Sequence, residues 1–257
     1  MMLINSTFPV IIRLGDAQLT LHAVTEVLSF FVAYRYYVYL KRRSGDAISS
    51  ENRLWIILGA TIGALLGSRL VGGMENFPAL LNSTHPLTYL YLNKTILGGF
   101  LGGIWGVELV KLAIGEKRKS GDLFVYPILL GLIIGRIGCF SMGVHEETYG
   151  LPTSSFLGMD LGDGLMRHPV SLYEIVFLLL LWMGLKQCEK RLDLSEGALF
   201  KLLMIAYFCF RFLLDFIKPH YTWPIGLSTI QMVSLVGLLY YLPDMIKPRR
   251  LIKTAYA

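Results

Sequence analysis

Residues 123–142 read LFVYPILLGLIIGRIGCFSM, a stretch with one charge, Arg136. The hydrocarbon core of a bilayer is about 30 Å thick and a helix rises about 1.5 Å per residue, so a run of this length crosses it as a helix. A lipid-exposed strand is excluded, because unpaired backbone groups cost several kcal/mol each and the alternation of barrel strands is missing. Six further apolar runs lie near 18–40, 53–72, 95–114, 169–185, 198–217 and 225–246. The run at 169–185 is the shortest and starts within the polar stretch His168-Pro169-Val170-Ser171-Leu172-Tyr173-Glu174. The first run is too long for a cleavable signal and is followed by Lys41, Arg42 and Arg43 as a stop-transfer flank.

The whole chain fits this reading. Of 257 residues, 54% are hydrophobic and 16% charged, which excludes a soluble enzyme, a disordered chain and a disulfide-stapled module. The three cysteines, Cys139, Cys188 and Cys209, are scattered and form no metal-binding motif, so neither metal nor cofactor is expected. The net charge of +6 decides the topology. Lys41, Arg42, Arg43, Arg53, Lys117, Arg118, Lys119, Lys186, Lys190, Arg191, Lys247, Arg249, Arg250 and Lys253 fall on one side of the runs, against Arg13, Lys94, Arg167 and Lys218 on the other. The positive-inside rule then predicts an all-α integral membrane protein with seven transmembrane helices, N-terminus outside and C-terminus cytoplasmic. Basic residues used in this way leave no patch for nucleic acid. Residues 1–257 are expected to form a single polytopic membrane domain.

Gly59, Gly63 and Gly67 recur every four residues, as do Gly98, Gly102 and Gly106. Such ladders let helices approach closely in lipid. Charges inside spans are costly and face a polar cavity or each other. Arg35, Glu108, Lys111 and Lys201 fall near cytoplasmic helix ends, where a long side chain can snorkel. Glu26, Arg69, Arg136, Glu174, Arg211 and Asp215 fall in the outer half. Arg69, Arg136 and Arg211 share one depth, some 20 Å above the cytoplasmic helix starts by helical rise, which predicts a common cavity. A planar guanidinium suits phosphate oxygens, so an anionic phospholipid headgroup is the natural ligand. The alternative is that these arginines pair with Glu26, Glu174 and Asp215 as structural ion pairs.

The motifs Gly135-Arg136-Ile137-Gly138-Cys139-Phe140, Glu147-Thr148-Tyr149-Gly150 and His168-Pro169-Val170-Ser171-Leu172-Tyr173-Glu174 resemble the signature of prolipoprotein diacylglyceryl transferases. The resemblance extends in order from Gly67-Ser68-Arg69-Leu70 through Gly98-Gly99-Phe100-Leu101-Gly102-Gly103 to Phe210-Arg211-Phe212, Asp215-Phe216 and Ser228-Thr229-Ile230-Gln231. It implies an enzyme of the bacterial cytoplasmic membrane that moves a diacylglyceryl group from phosphatidylglycerol to the lipobox cysteine thiol of a prolipoprotein signal peptide, leaving glycerol phosphate. On that resemblance Arg136, Arg69, Arg211, His168, Glu174 and Gln231 bind substrate, and Glu147, matched by counting back from Gly150, is catalytic.

The chain departs from the family pattern at Leu101, where a His is common, at Cys139 and Met142, where Asn stands, and at Lys218 in place of an Arg. The first helix places His22 and Glu26 four apart, on one helical face. These two are expected to supply the acid–base function missing at Leu101, with Glu26 orienting His22; the competing reading makes His22 an interfacial filler. His168 could equally cap the start of the fifth span. Two other functions stay open on these residues: a non-catalytic lipid-binding or transport protein on the same scaffold, and a paralogue with a different acceptor. A purely structural subunit would leave the motifs without a purpose.

Overall fold

A computed structural model describes residues 2–5, 7–14 and 17–253, so both ends of the domain expected over 1–257 lie outside the described residues. Seven long helices follow the apolar runs: α1 (Leu21–Ser44), α2 (Ser50–Met74), α5 (Ile96–Ile114), α6 (Val125–Met142), α7 (Val170–Arg191), α8 (Ala198–Leu214) and α9 (Thr229–Ile246). Two short helices, α3 (Phe77–Leu81) and α4 (Pro86–Leu92), fill the connection from α2 to α5. Five helices are long and apolar enough to cross a membrane: α2, α5, α6 with its flanking turns, α7 and α9. Tyrosines and Arg35 lower the hydropathy of α1, whereas α8 is only 17 residues long. Helix α8 lies inside the bundle, with Leu203, Met204, Tyr207 and Phe208 fully buried.

The chain is mostly helical, as expected of an all-α membrane protein, with two small sheets beside the helices: β1 (Met2–Asn5), β2 (Ile11–Leu14) and β3 (Ala17–Thr20) form an antiparallel sheet before α1, and β4 (Met159–Asp160) pairs with β5 (Met166–Arg167) between α6 and α7. Residues 18–20 therefore belong to a strand, and α1 begins at Leu21, where Thr20 Oγ1 accepts the Ala23 N–H at 3.2 Å. The short fifth run is a 22-residue helix. Hydropathy detects only its apolar part; the polar last turns are held by Tyr126, whose hydroxyl donates to Glu189 at 2.6 Å.

The glycine ladders work as expected. A Cβ on Gly63 would collide with the Gly102 carbonyl, and one on Gly102 with that of Gly63; Gly67 and Gly98 block each other in the same way. Helices α2 and α5 thus touch backbone to backbone, which supplies dispersion contacts in lipid where water exclusion is absent. At the end bearing most of the basic residues, Arg53 Nε donates to Asp46 at 2.7 Å and Nη1 to the Ser120 carbonyl at 3.0 Å. Nearby, hydrogen bonds from Arg118 and Asn52 hold the Glu116 carboxyl down at about 2. The Asp122 carboxylate accepts the backbone N–H groups of Gly197 and Phe200, at 2.6 and 2.9 Å, satisfying the start of α8. At the other end Thr229 Oγ1 donates to the Met74 carbonyl at 2.7 Å and accepts from Trp223 Nε1 at 2.9 Å, tying α9 to α2.

The ladder predicts an asymmetry between neighbouring glycines. Gly102→Ala meets backbone that cannot yield and should cost at least the ~1–3 kcal/mol typical of overpacking. Gly103→Ala meets only ordinary contacts, 3.5 Å from the Ala60 carbonyl and 3.6 Å from Ala64, and should leave stability unchanged. Thermal unfolding in detergent checks both.

Candidate active site

Glu174, on the second turn of α7, is 2% exposed and lies between two guanidiniums. Arg136 of α6 approaches its Oε2 at 2.9 Å, and Arg211 of α8 approaches the same oxygen at 3.3 Å. Tyr207, one turn before Arg211, donates its hydroxyl to Oε1 at 2.7 Å. Both arginines are buried, and the Nε of Arg211 has no hydrogen-bond partner among the described residues. A cavity lined by Arg136, Arg211, Lys218, Glu174, Thr148 and Ser171 opens beside this group. Three cations and one carboxylate line it, with Glu75 and Asp215 close enough to act on Lys218, so the lining offers several cationic donors to an anion.

The cavity rim is built by the segment after α6. Gly150 N–H donates to the His168 carbonyl at 3.0 Å and Leu151 N–H to the Ile217 carbonyl at 2.8 Å. A Cβ on Gly150 would meet His168 at 2.6 Å, so only glycine lets the loop close on the start of α7. Ser171 Oγ donates to the Thr148 carbonyl at 3.3 Å. His168 does not cap α7; its Nδ1 lies 3.1 Å from the Tyr173 hydroxyl.

Lys218, just past the end of α8, is pushed below the usual lysine range by burial and by Arg211. Glu75, just past the end of α2, is pushed above the usual carboxylate range by burial, against the pull of Lys218 and Arg211. Asp215 does not pair with an arginine; it accepts from Ser228 Oγ and faces His220 at 3.6 Å. Gln231 completes a capping box with Ser228, its Oε1 accepting the Ser228 N–H at 2.9 Å. Its Nε2 is buried without a hydrogen-bond partner among the described residues.

A second group adjoins the first through Cys139, whose Sγ receives Arg136 Nη1 at 3.6 Å. His22 Nδ1, on the first turn of α1, lies 2.6 Å from Glu146 Oε2. Gly138 makes this approach possible, because a Cβ there would strike Thr25 Oγ1 and press on His22 at 3.1 Å.

The expected residues are thus distributed unevenly. Arg136, Arg211 and Glu174 come together. Arg69 does not join them: it is absent from the cavity lining and lies over the Tyr91 ring at 4.9 Å. Glu26 pairs with Lys94, and the carboxylate in direct contact with His22 is Glu146. Glu147 is exposed. Tyr207, Thr148, Ser171 and Glu75 were not singled out from sequence. Tyr207 and Ser171 were within reach, lying one helical turn from Arg211 and Glu174; Glu75 carried no signal before the end of α2 was known.

Fold and site together define a helical membrane protein with a buried cationic cavity where α6, α7 and α8 meet. A sequence profile of the prolipoprotein diacylglyceryl transferase family matches residues 9–245. Among curated relatives, the phosphatidylglycerol–prolipoprotein diacylglyceryl transferase of Geobacter sulfurreducens is 30% identical over 82% of this chain and 82% of its own. That of Wolbachia sp. subsp. Drosophila simulans is 32% identical over 91% and 94%, and that of Bordetella parapertussis 31% over 82% and 82%. The chain belongs to the prolipoprotein diacylglyceryl transferase family.

Glu174→Gln leaves two buried guanidiniums without a counterion and should destabilise by roughly 3–5 kcal/mol. Tyr207→Phe removes one hydrogen bond to a charged acceptor and should cost about 1.5–3 kcal/mol. Denaturant unfolding in detergent ranks them. Because the folded pKa of Lys218 is depressed, its charge disappears as pH rises, before the ordinary lysine value of 10.5 is reached. Binding of a phosphodiester lipid should therefore weaken as pH rises, before 10.5 is reached, and Lys218→Arg should abolish that loss. Titrating lipid affinity against pH in both proteins measures it.

Proposed function

We propose that this chain transfers the diacylglyceryl group of phosphatidylglycerol to the thiol of a lipobox cysteine in a prolipoprotein signal peptide. The observation that carries the reading is the pair of buried guanidiniums at Glu174, with Lys218 in the same cavity lining. Arg136, Arg211 and Lys218 are placed to hold the phosphodiester and to receive the charge that grows on its leaving oxygen, the task of an oxyanion site. Glu174 and Tyr207 orient the two guanidiniums, and Gln231 Nε2 is a further donor on the neighbouring helix. The acceptor must react as a thiolate, since the thiol is a poor nucleophile. His22 and Glu146, adjoining Arg136 through Cys139, are the groups placed on that side.

The setting follows from the same reading. The chain spans the bacterial cytoplasmic membrane seven times as one polytopic domain, with α1 and α8 completing the five more apolar spans. Its N-terminus is outside and its C-terminus cytoplasmic, as the charge bias requires. The cavity then opens toward the outer leaflet. A lipid-binding protein without catalysis is the second reading; what favours it is Leu101, buried in the apolar core at the place where the family commonly has a His.

Reconstituted protein given phosphatidylglycerol and a lipobox peptide is expected to yield the thioether and glycerol phosphate. Arg136→Ala should lower turnover by at least the 10²–10³-fold typical of losing one oxyanion donor. Bound phosphatidylglycerol without product would favour the binding-only reading, and undiminished turnover in Arg136→Ala would remove that arginine from the site.

A further inference from the structure

His22, Cys139 and Glu146 come from three separate segments: the first turn of α1, the last turn of α6 and the loop after it. Their ligand atoms, Nδ1 or Nε2, Sγ and a carboxylate oxygen, all lie within 4.8 Å of one another. The three side chains are half-buried. Glu146 Oε2 is buried and faces His22 Nδ1 at 2.6 Å. These two donor atoms and Cys139 Sγ thus already converge on one point, where a metal would take the place of the direct contact.

We propose that these three residues bind a zinc-class divalent ion whose fourth position receives the acceptor cysteine thiol. One nitrogen, one sulfur and one oxygen donor suit zinc, and three protein ligands with one open position are the pattern of catalytic rather than structural zinc. Tetrahedral bonds of about 2.0–2.3 Å put ligand atoms roughly 3.3–3.8 Å apart, so the His22–Glu146 contact opens by about 1 Å and the longest separation closes by as much. Thiolate and carboxylate together cancel the charge of the dication, so the ion adds no net charge beside Arg136. A cavity lined by Cys139 shares Thr148, Val170 and Ser171 with the arginine cavity. A thiol held at the metal therefore stands next to a lipid held by the arginines.

The inference rests on the diacylglyceryl-transfer reading and says how the thiol is ionised in a chain with Leu101 in place of the family's His. Zinc lowers the pKa of its water to about 7. The bound hydroxide takes the thiol proton and leaves as water, and the thiolate replaces it. The sulfur then attacks the glyceryl carbon that carries the phosphate. The carbon–sulfur bond forms as the carbon–oxygen bond breaks, and its electron pair stays on the phosphate oxygen, which departs as glycerol phosphate.

The full chain, purified in detergent and stripped by a chelator, is loaded with Zn²⁺ or Co²⁺. The expected result is one ion per chain by elemental analysis and a thiolate-to-cobalt charge-transfer band that a lipobox peptide shifts. The band should vanish in Cys139→Ser and persist in Cys209→Ser, while unfolding curves show that both variants remain folded. Chelation should lower transfer by about tenfold or more, as weakened metal ligation does elsewhere, and zinc should restore it. The site is overturned if the unmutated chain binds no ion, or if protein proven metal-free transfers at full rate. A peptide-shifted band with no transfer from phosphatidylglycerol would support the site and overturn the reaction instead.

Discussion

The structure depends on one carboxylate shared by two guanidiniums. Taking an ion out of water costs several kcal/mol even after relaxation, and Arg136, Arg211 and Glu174 are all buried. Each guanidinium is tolerable only because Glu174 stands beside it, and Glu174 only because of them and the Tyr207 hydroxyl. The group joins α6, α7 and α8 at one height, where apolar packing alone would leave their relative rotation free. Below it, Phe177 of α7 stacks on Phe210 of α8 with ring centres 3.9 Å apart, fixing the same pair of helices. With two arginines and Lys218 in one lining, the constraint that orders the helices also gathers the groups that suit an anion.

The group around His22 is positioned by a different device. Val10 N–H donates to the Ser141 carbonyl at 2.8 Å, and Leu21 N–H to the Val10 carbonyl at 2.9 Å. The small N-terminal sheet thus pins the first turn of α1 to the last turn of α6, and Phe8 packs edge-on against Phe140 at 5.6 Å. With Gly138 supplying the gap, His22 is carried to Cys139 and Glu146. Helix packing sets the arginine cavity, whereas strand pairing and a loop set its neighbour.

This difference explains what the sequence made legible. Long apolar runs and four-residue glycine spacing arise from the bilayer and from helix contact, so the long helices and the presence of a close glycine contact could be read directly, while its pairing of α2 with α5 came from the structure. Counting along helices gave the height of Arg69, Arg136 and Arg211 but not their azimuth; two of them meet at Glu174, and Arg69 turns toward Tyr91. The pairing of His22 with Glu26 was a local inference from helical spacing. The carboxylate in direct contact, Glu146, comes from a loop after α6 that no helical spacing could reach. Four-residue strands before α1 carry too little pattern to stand out from a flanking segment, and their absence from the sequence reading also hid the contact that places His22.

The central claim is that the guanidiniums gathered at Glu174 select a lipid phosphate. Its most direct test is native mass spectrometry of the protein with an equimolar mixture of phosphatidylglycerol and uncharged diacylglycerol, compared with Arg211→Gln. The unmutated chain should retain phosphatidylglycerol in strong preference, and Arg211→Gln should bind the two lipids alike while staying folded. Equal binding by the unmutated chain, or an undiminished preference in a folded Arg211→Gln protein, would contradict the account.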